Sequence, residues 1–264
     1  MLEARPVSSV PGQANYSPKT SEAKFKQVCS FGLMNNGLFS SDPLLDYTNM
    51  IHFSVKQSER FYQPRANYLS SQPQIGSKQR QKLINWLIVI QTSFKLLPET
   101  LFISVNIIDR FLSKEKLELT NLQLLSITAL SIASKFQEIY PPVTADFIKM
   151  TDNSYTVEAM RQMETKVLSV IEFDINCTPS QTFLEHYSRG INVTKPSVLI
   201  YASFLLDLAL LKDEFLQFKT SDITVCALII AMSRESKLTG RSFDAELHRL
   251  DGIRGFENFD DATL

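Results

Sequence analysis

Histidine and cysteine are the side chains that most often hold metal ions or act as nucleophiles, and this chain keeps them far apart. It has three of each, and none has the spacing of a metal or catalytic site: His52, His186, His248, Cys29, Cys177 and Cys226. No glycine-rich phosphate loop, dinucleotide fingerprint or nucleophile elbow occurs. The pattern therefore predicts no metal, no cofactor and no enzymatic activity, and it favours binding as the function.

Charged side chains inside otherwise apolar runs are the chemically unusual positions. Asp109 interrupts the run NIIDRFL, and a carboxylate that faces inward needs a paired cation, for which Arg80 is a candidate. Lys135 and Glu164 also lie among apolar residues. A plainer interpretation is available for each: Asp109 and Glu164 are solvated, and Lys135 suits the negative end of a helix dipole. The pattern alone leaves both interpretations open.

Residues 122–142 form the stretch around which the other elements are arranged. The first fifteen of them are almost all apolar or small, which is typical of a helix in the middle of a bundle. Thr120 and Gln123 have the spacing of a capping box at its start, and the run from Tyr140 to Pro142 ends it. The residues just before those prolines mix charge with large apolar side chains. We therefore predict a buried helix whose tip presents a contact surface.

Capping residues and apolar periodicity predict further helices on both sides of this stretch. Helices are expected to begin at Pro43, Ser77, Pro98, Pro196 and Ser221, a short one is expected around 145–150, and Thr156 is the expected cap of another. Thr178 and Gln181 have the spacing of a second capping box, which predicts one more helix. Together with the low glycine content, these signals predict an all-α fold.

Two separate helices repeat at the same distance along the chain. Residues 107–109 match residues 205–207, which lie 98 positions later. Residues 129–133 match residues 227–231 at the same separation of 98. A period this long indicates duplicated helical domains rather than a solenoid. The chain after residue 240 is too short for two full helices, so we predict that the second copy is incomplete.

The bulk composition excludes several classes of partner. The 264 residues carry a net charge of −1, which gives no electrostatic footprint for nucleic acid. No run reaches the length of a membrane-spanning helix, and the N-terminus has no signal-peptide core. The odd, scattered cysteines are typical of free thiols in a reducing compartment. These features predict a soluble intracellular protein with no nucleic-acid or membrane partner.

Several stretches, taken in order, resemble the cyclin box of A- and B-type mitotic cyclins. They are RQKLINWL, FKLLPETLFISVNIIDRFL, LQLLSITALSIASKFQEIYPP, FIKMTDNSYT and MRQMETKVLSVIEFDI. The resemblance implies two cyclin boxes of five helices each, the second one shortened, after an N-terminal helix. The expected divisions are a disordered tail at 1–41, the N-terminal helix and linker at 42–76, the N-terminal cyclin box at 77–176 and the incomplete C-terminal cyclin box at 177–264.

The resemblance also implies a function, which is to bind and activate a cyclin-dependent Ser/Thr protein kinase in the cell-division cycle, in the nucleus and cytoplasm. The partner kinase would be held with its regulatory helix in the active position. The positions that bind the kinase in this family match Lys135, Glu164, Ile132, Phe136, Leu168, Phe173, Ile175, Tyr47 and Ile51. Arg80 and Asp109 match a pair that ties two helices of the first box together.

Many cyclins of this type also carry a groove that docks Arg-x-Leu motifs of substrates and inhibitors. Leu83, Trp86 and Gln123 match that groove. Other members differ, since Gln79 and Lys82 replace apolar residues and Val89 stands where an acidic residue is common. The departures predict weakened or altered docking of such motifs.

The sequence is also compatible with two other functions. A transcription factor with two cyclin-like boxes, as in transcription factor IIB, should carry a basic stripe, and the net charge of −1 argues against one. A cyclin-fold scaffold that binds another protein and no kinase is consistent with the altered docking groove.

Overall fold

The computed structural model describes residues 43–191, 193 and 195–239, and every regular element among them is helical. The α-helices are α1 Pro43–Tyr62, α2 Ser77–Phe94, α3 Pro98–Lys114, α4 Leu122–Gln137, α5 Thr144–Lys149, α6 Val157–Val170, α7 Ser180–Gly190, α8 Pro196–Leu210 and α9 Thr220–Thr239. Short 3-10 helices cover Tyr68–Ser71, Leu119–Asn121 and Asp213–Gln217. The all-α prediction is confirmed for this part of the chain.

The predicted helix starts that depend on one local residue are confirmed. α1, α3 and α8 begin at Pro43, Pro98 and Pro196, because proline fixes a helical φ and has no N–H to leave unsatisfied. Thr156 caps α6 with its hydroxyl oxygen, which accepts a hydrogen bond from the backbone N–H of Ala159 at 3.1 Å.

Both predicted capping boxes are wrong. The 3-10 helix Leu119–Asn121 runs directly into α4, so Asn121 is the residue before the helix, and the hydroxyl of Thr120 lies 3.5 Å from the Glu118 carboxylate instead. At α7, Pro179 keeps an extended ψ of 150°, and the helix begins one residue later without a side-chain cap.

The core of the first cluster of helices is built around α4. Ala129 and Ala133 are fully buried, and their small side chains let neighbouring helices approach closely. The buried hydroxyls of Ser126 and Thr128 donate to the carbonyls one turn earlier, at 2.6 Å and 2.7 Å. Because their polar groups are satisfied inside the helix, these residues can lie in the core without a lost hydrogen bond.

A second cluster is formed by α7, α8 and α9. Its fully buried members include Phe183 from α7, Ala202 from α8 and Leu228 from α9, and Phe102 of α3 also belongs to it. The division of the chain into two cyclin boxes remains a prediction. The predicted disordered tail at 1–41 and the end of the predicted second box, from 240 onward, lie outside the described residues.

The described residues divide into two units between Phe53 and Ser54, and the second unit includes the last turns of α1. Glu59 in those turns is buried and joins α1 to the start of α9: its carboxylate accepts from the backbone N–H of Ser221 at 2.6 Å and from the Ser221 hydroxyl at 2.9 Å.

None of the described helices is long and apolar enough to cross a membrane. Cys177 and Cys226 are free thiols, as predicted, while Cys29 lies outside the described residues.

Candidate functional site

Lys135 and Glu164, on different helices, form an ion pair at the surface. Lys135 lies in the last turn of α4, and its ammonium group donates to the Glu164 carboxylate on α6. Their side chains remain 44% and 25% exposed. A pair this accessible contributes little to stability, and both groups keep unused hydrogen-bonding capacity.

The apolar side chains predicted to bind the kinase together with this pair differ in accessibility. Phe136 is 51% exposed and Phe173 is 71% exposed, whereas Ile132 is only 3% exposed and belongs to the first core cluster. Leu168 and Ile175 are half-buried and pack against the same cluster. The two phenylalanines are therefore accessible to a partner, whereas Ile132 is part of the core.

The tip of α4 adds exposed side chains that the sequence-based site did not include. Ile139 is 88% exposed, Tyr140 is 92% exposed, and Val143 is also exposed. The mixture of large apolar and charged residues before Pro141 indicated a contact surface in this region. Because these residues lie outside a helix, no periodic pattern in the sequence predicts which of their side chains are buried.

Glu138 fixes the position of this tip. Its carboxylate accepts hydrogen bonds from the backbone N–H of Leu97 at 2.8 Å and from the Thr100 hydroxyl at 2.6 Å. Since these donors lie at the start of α3, the carboxylate also faces the positive end of that helix dipole. The end of α4 is thereby attached to the beginning of α3.

Phe173 is presented by a strained turn after α6. Glu172 and Phe173 have φ values of 59° and 58°, in the left-handed region that residues with a Cβ rarely adopt. The turn is held by a hydrogen bond from the Phe173 N–H to the Leu168 carbonyl at 2.8 Å. Lys114 donates to the Val170 carbonyl and to the Glu172 carboxylate, both at 3.0 Å, and that hydrogen bond lowers the pKa of Glu172.

Arg80 and Asp109 form a buried ion pair, so Asp109 faces inward. The guanidinium donates to both carboxylate oxygens, at 2.9 Å and 2.7 Å, and each side chain is 3% exposed. The Tyr68 hydroxyl donates to Asp109 at 2.5 Å, and burial, followed by the nearby carboxylate, raises the pKa of Tyr68 above its usual range. Arg80 also donates to the Leu210 carbonyl at 3.0 Å, which connects α2 to the end of α8.

The residues of the predicted Arg-x-Leu groove lie on α2 and α4. Leu83 is buried, Trp86 and Gln123 are half-buried, and Val89 is exposed on the same helix as Trp86. Gln79 accepts a hydrogen bond from the backbone N–H of Gly76 at 3.2 Å, so this polar substitution serves the start of α2.

The two predicted contacts on α1 lie before the division at Ser54, in the other unit from α4 and α6. Ile51 is 42% exposed, and the side chain of Tyr47 lies outside the described part of the structure. Among the described residues, no group of three His, Cys, Asp or Glu side chains is placed to hold a metal ion. We call Lys135 and Phe136 of α4, Glu164 of α6 and Phe173 after α6 the α4–α6 surface. Its exposed aromatic residues and its ion pair can supply apolar area and directional hydrogen bonds to another protein.

Comparison with known proteins gives consistent matches. Residues 50–176 match the family described as "Cyclin, N-terminal domain". The chain is 34% identical over 225 residues to a G2/mitotic-specific cyclin-A of Hydra viridissima, covering 82% of this chain and 53% of the relative. It is 37% identical over 187 residues to a G2/mitotic-specific cyclin-B of Hydra vulgaris, covering 71% and 51%. With cyclin-A2 of Xenopus laevis it shares 37% identity over 187 residues, covering 70% and 45%.

The chain therefore spans about half the length of the curated relatives it matches. Among solved structures, the X-ray structure of a viral cyclin from herpesvirus saimiri superposes with a TM-score of 0.67 at 20% identity. The superposition covers 77% of this chain and 90% of the viral one, which establishes a shared fold.

Proposed function

Because this chain belongs to the cyclin family, with relatives of the A and B types, we propose that it binds and activates a cyclin-dependent Ser/Thr protein kinase in cell-cycle control. The observation that carries the proposal is that Phe136 on α4 and Phe173 just after α6 are exposed, and that the same two helices are joined by the accessible Lys135–Glu164 pair. The chain acts in this proposal as a regulatory subunit without catalytic groups of its own.

The apolar part of the surface supplies the affinity. Burial of an exposed aromatic side chain is worth about 1.5–3 kcal/mol, so Phe136 and Phe173 together contribute several kcal/mol when a partner helix covers them. The strained turn holds Phe173 in place before the partner arrives, which lowers the entropy lost on binding.

The ion pair supplies the orientation. The Lys135 ammonium has three donors and uses one of them for Glu164, so the others are available to partner carbonyl groups. Glu164 has a second carboxylate oxygen that can accept from a partner N–H. Since both groups are already paired, neither leaves an isolated charge when the interface closes over them.

Activation follows if the surface binds only one position of the kinase regulatory helix. Moving a conformational equilibrium from 1:99 to 99:1 requires about 5.5 kcal/mol of differential affinity. An interface of about 2,000 Å² or more, as in many signalling assemblies, is large enough to supply it. The regulatory helix then completes the catalytic Lys–Glu pair of the kinase.

The test is to mix the full chain with several cyclin-dependent kinases and to measure phosphorylation of histone substrate. We expect a stable heterodimer with at least one of them and a large gain in its activity. Binding without activation would contradict the helix-positioning mechanism, and neither binding nor activation across the set would contradict the function itself.

Two finer proposals depend on the same family membership. Arg-x-Leu substrates or inhibitors should bind the surface around Leu83, Trp86 and Gln123 with altered affinity, because Val89 offers no carboxylate to the arginine of the motif. The protein should act in the nucleus and cytoplasm, where its kinase partner works.

A further inference from the structure

One face of α8 is apolar and uncovered. Ile200, Phe204 and Leu208 are 72%, 51% and 44% exposed, and their spacing of four residues places them in one stripe along the helix. We call these three residues the α8 face. Three large side chains in one exposed stripe differ from the singly scattered apolar residues of an ordinary surface, and such stripes mark contact sites.

The α8 face continues onto α9 through two ring contacts. The ring of Tyr201 lies 6.2 Å from the ring of Phe204, and the guanidinium of Arg234 on α9 lies 4.3 Å above the Tyr201 ring. The apolar stripe is therefore bordered on one side by a cation.

The internal repeat shows how the equivalent face is treated in the first cluster of helices. The residues 98 positions earlier are Phe102, Asn106 and Arg110, all on α3. Phe102 is only 7% exposed. The Asn106 amide donates to the Tyr62 carbonyl at 2.8 Å, and the Arg110 guanidinium lies 5.3 Å above the Tyr62 ring. Where α3 has the end of α1 across this face, the three equivalent side chains of α8 remain 44% to 72% exposed.

A carboxylate in the same stripe lacks the cation that its counterpart has. Asp207 matches Asp109 in the repeat, but the residue 98 positions after Arg80 is Thr178. Asp207 is half-buried, and burial raises its pKa to about 6. Within the described part of the chain no hydrogen bond or ion pair reaches it. A segment that covers the α8 face and carries an arginine would therefore bury the apolar stripe and also pair with this carboxylate.

We propose that residues 240–264 of the same chain bind across the α8 face. The start of α8 lies beside the end of α9, because Lys195 and Ser197 donate to the Glu235 carboxylate at 2.8 Å and 3.2 Å. The segment that follows α9 thus starts near the Ile200 end of the stripe. As a helix, 25 residues would reach about 37 Å, more than the 15 residues of α8 need.

The sequence of this segment fits the surface. Phe243, Leu247 and Leu250 are spaced by four and three residues, as on one side of an amphipathic helix. Arg249 lies between the two leucines and can supply the cation for Asp207. Attachment to α9 makes the contact intramolecular, so even a weak interaction would be highly populated. The inference does not depend on the kinase function.

Hydrogen–deuterium exchange on the full chain tests the proposal. In the wild type, we expect the amides of residues 243–250 to exchange about tenfold or more slowly than an unstructured chain of that sequence. Phe204→Asp places a charge on the α8 face and should restore fast exchange there. Leu250→Asp should do the same from the other side of the contact without altering any described residue. Val157→Asp, a charge on an exposed position at the start of α6, is the matched control and should leave the protection unchanged.

Three results would overturn the inference. The first is exchange of residues 243–250 at the unstructured rate in the wild type, which would leave the α8 face to a separate partner. The second is equal protection in Phe204→Asp, which would assign the protection to another contact. The third is a dimer in sedimentation velocity that Phe204→Asp dissociates, with protection only at concentrations where the dimer exists, which would make a second copy the occupant.

Discussion

Replacement of Arg80 by methionine tests the role of the buried ion pair. The change keeps the length of the side chain but removes two hydrogen bonds to Asp109 and one to the Leu210 carbonyl. Asp109 would then stay buried with only the Tyr68 hydroxyl as a partner. Opposite charges about 4 Å apart attract by about 4 kcal/mol at an effective dielectric constant of about 20, and removing one partner of a buried pair costs about 3–5 kcal/mol.

Urea denaturation of the full chain, followed by circular dichroism, measures this loss. Arg80→Met should lower the free energy of unfolding by about 3–5 kcal/mol, and Arg80→Met combined with Asp109→Leu should recover most of it. Arg161→Met is the matched control, since its pair with Glu158 is 69% and 68% exposed and should contribute almost nothing. A loss below about 1 kcal/mol for Arg80→Met, or a double variant no better than the single one, would refute the reasoning.

Three further stability predictions concern single positions. Burial raises the pKa of Glu59, so the folded state holds the proton more tightly than the unfolded chain does. The protonated group stabilises the fold fully below the pKa of the unfolded chain, and this stabilisation is lost as the pH rises through the pKa of the folded state. Unfolding of Glu59→Gln measured across that range should therefore show a weaker decrease with pH, and an unchanged slope would contradict the assignment. Thr156→Ala should lower stability by about 1 kcal/mol through loss of the α6 cap, a value to be checked by urea denaturation. Glu172→Gly should increase the free energy of unfolding by about 0.5–1 kcal/mol, because glycine adopts the positive φ without strain, and the thermal unfolding midpoint should rise. A lower midpoint would show that the contact of Glu172 with Lys114 matters more than the strain.

The sequence predicted those features that depend on one residue and its neighbours. Pro43, Pro98 and Pro196 begin helices because the constraint lies in the proline ring itself, and Thr156 caps α6 because the N–H that it accepts from is only three residues away. The capping box at Thr120 failed because a 3-10 turn changes the rise and rotation of the chain just where the spacing argument assumes an α-helix.

Features that depend on contacts between distant segments were not predictable from pattern. Periodicity left Asp109 equally consistent with a solvated and a buried position, and its burial depends on Arg80 and Tyr68, which lie 29 and 41 residues away. The role of Glu138 at the start of α3 had no signal at all. Ile132 shows the same limit, since an apolar helical residue matches a contact position by type whether it is exposed or buried.

The proposed kinase interface is tested most directly by the affinity of Lys135→Ala/Glu164→Ala for a cyclin-dependent kinase that the wild type activates. Glu185→Ala/Arg189→Ala is the matched control, because it removes another exposed ion pair, on α7. With helical content unchanged in both variants, isothermal titration calorimetry should show the first one binding about tenfold or more weakly, equivalent to about 1.4 kcal/mol, and the control binding like the wild type. Equal dissociation constants for the wild type and Lys135→Ala/Glu164→Ala would contradict the assignment of the α4–α6 surface as the kinase-binding site.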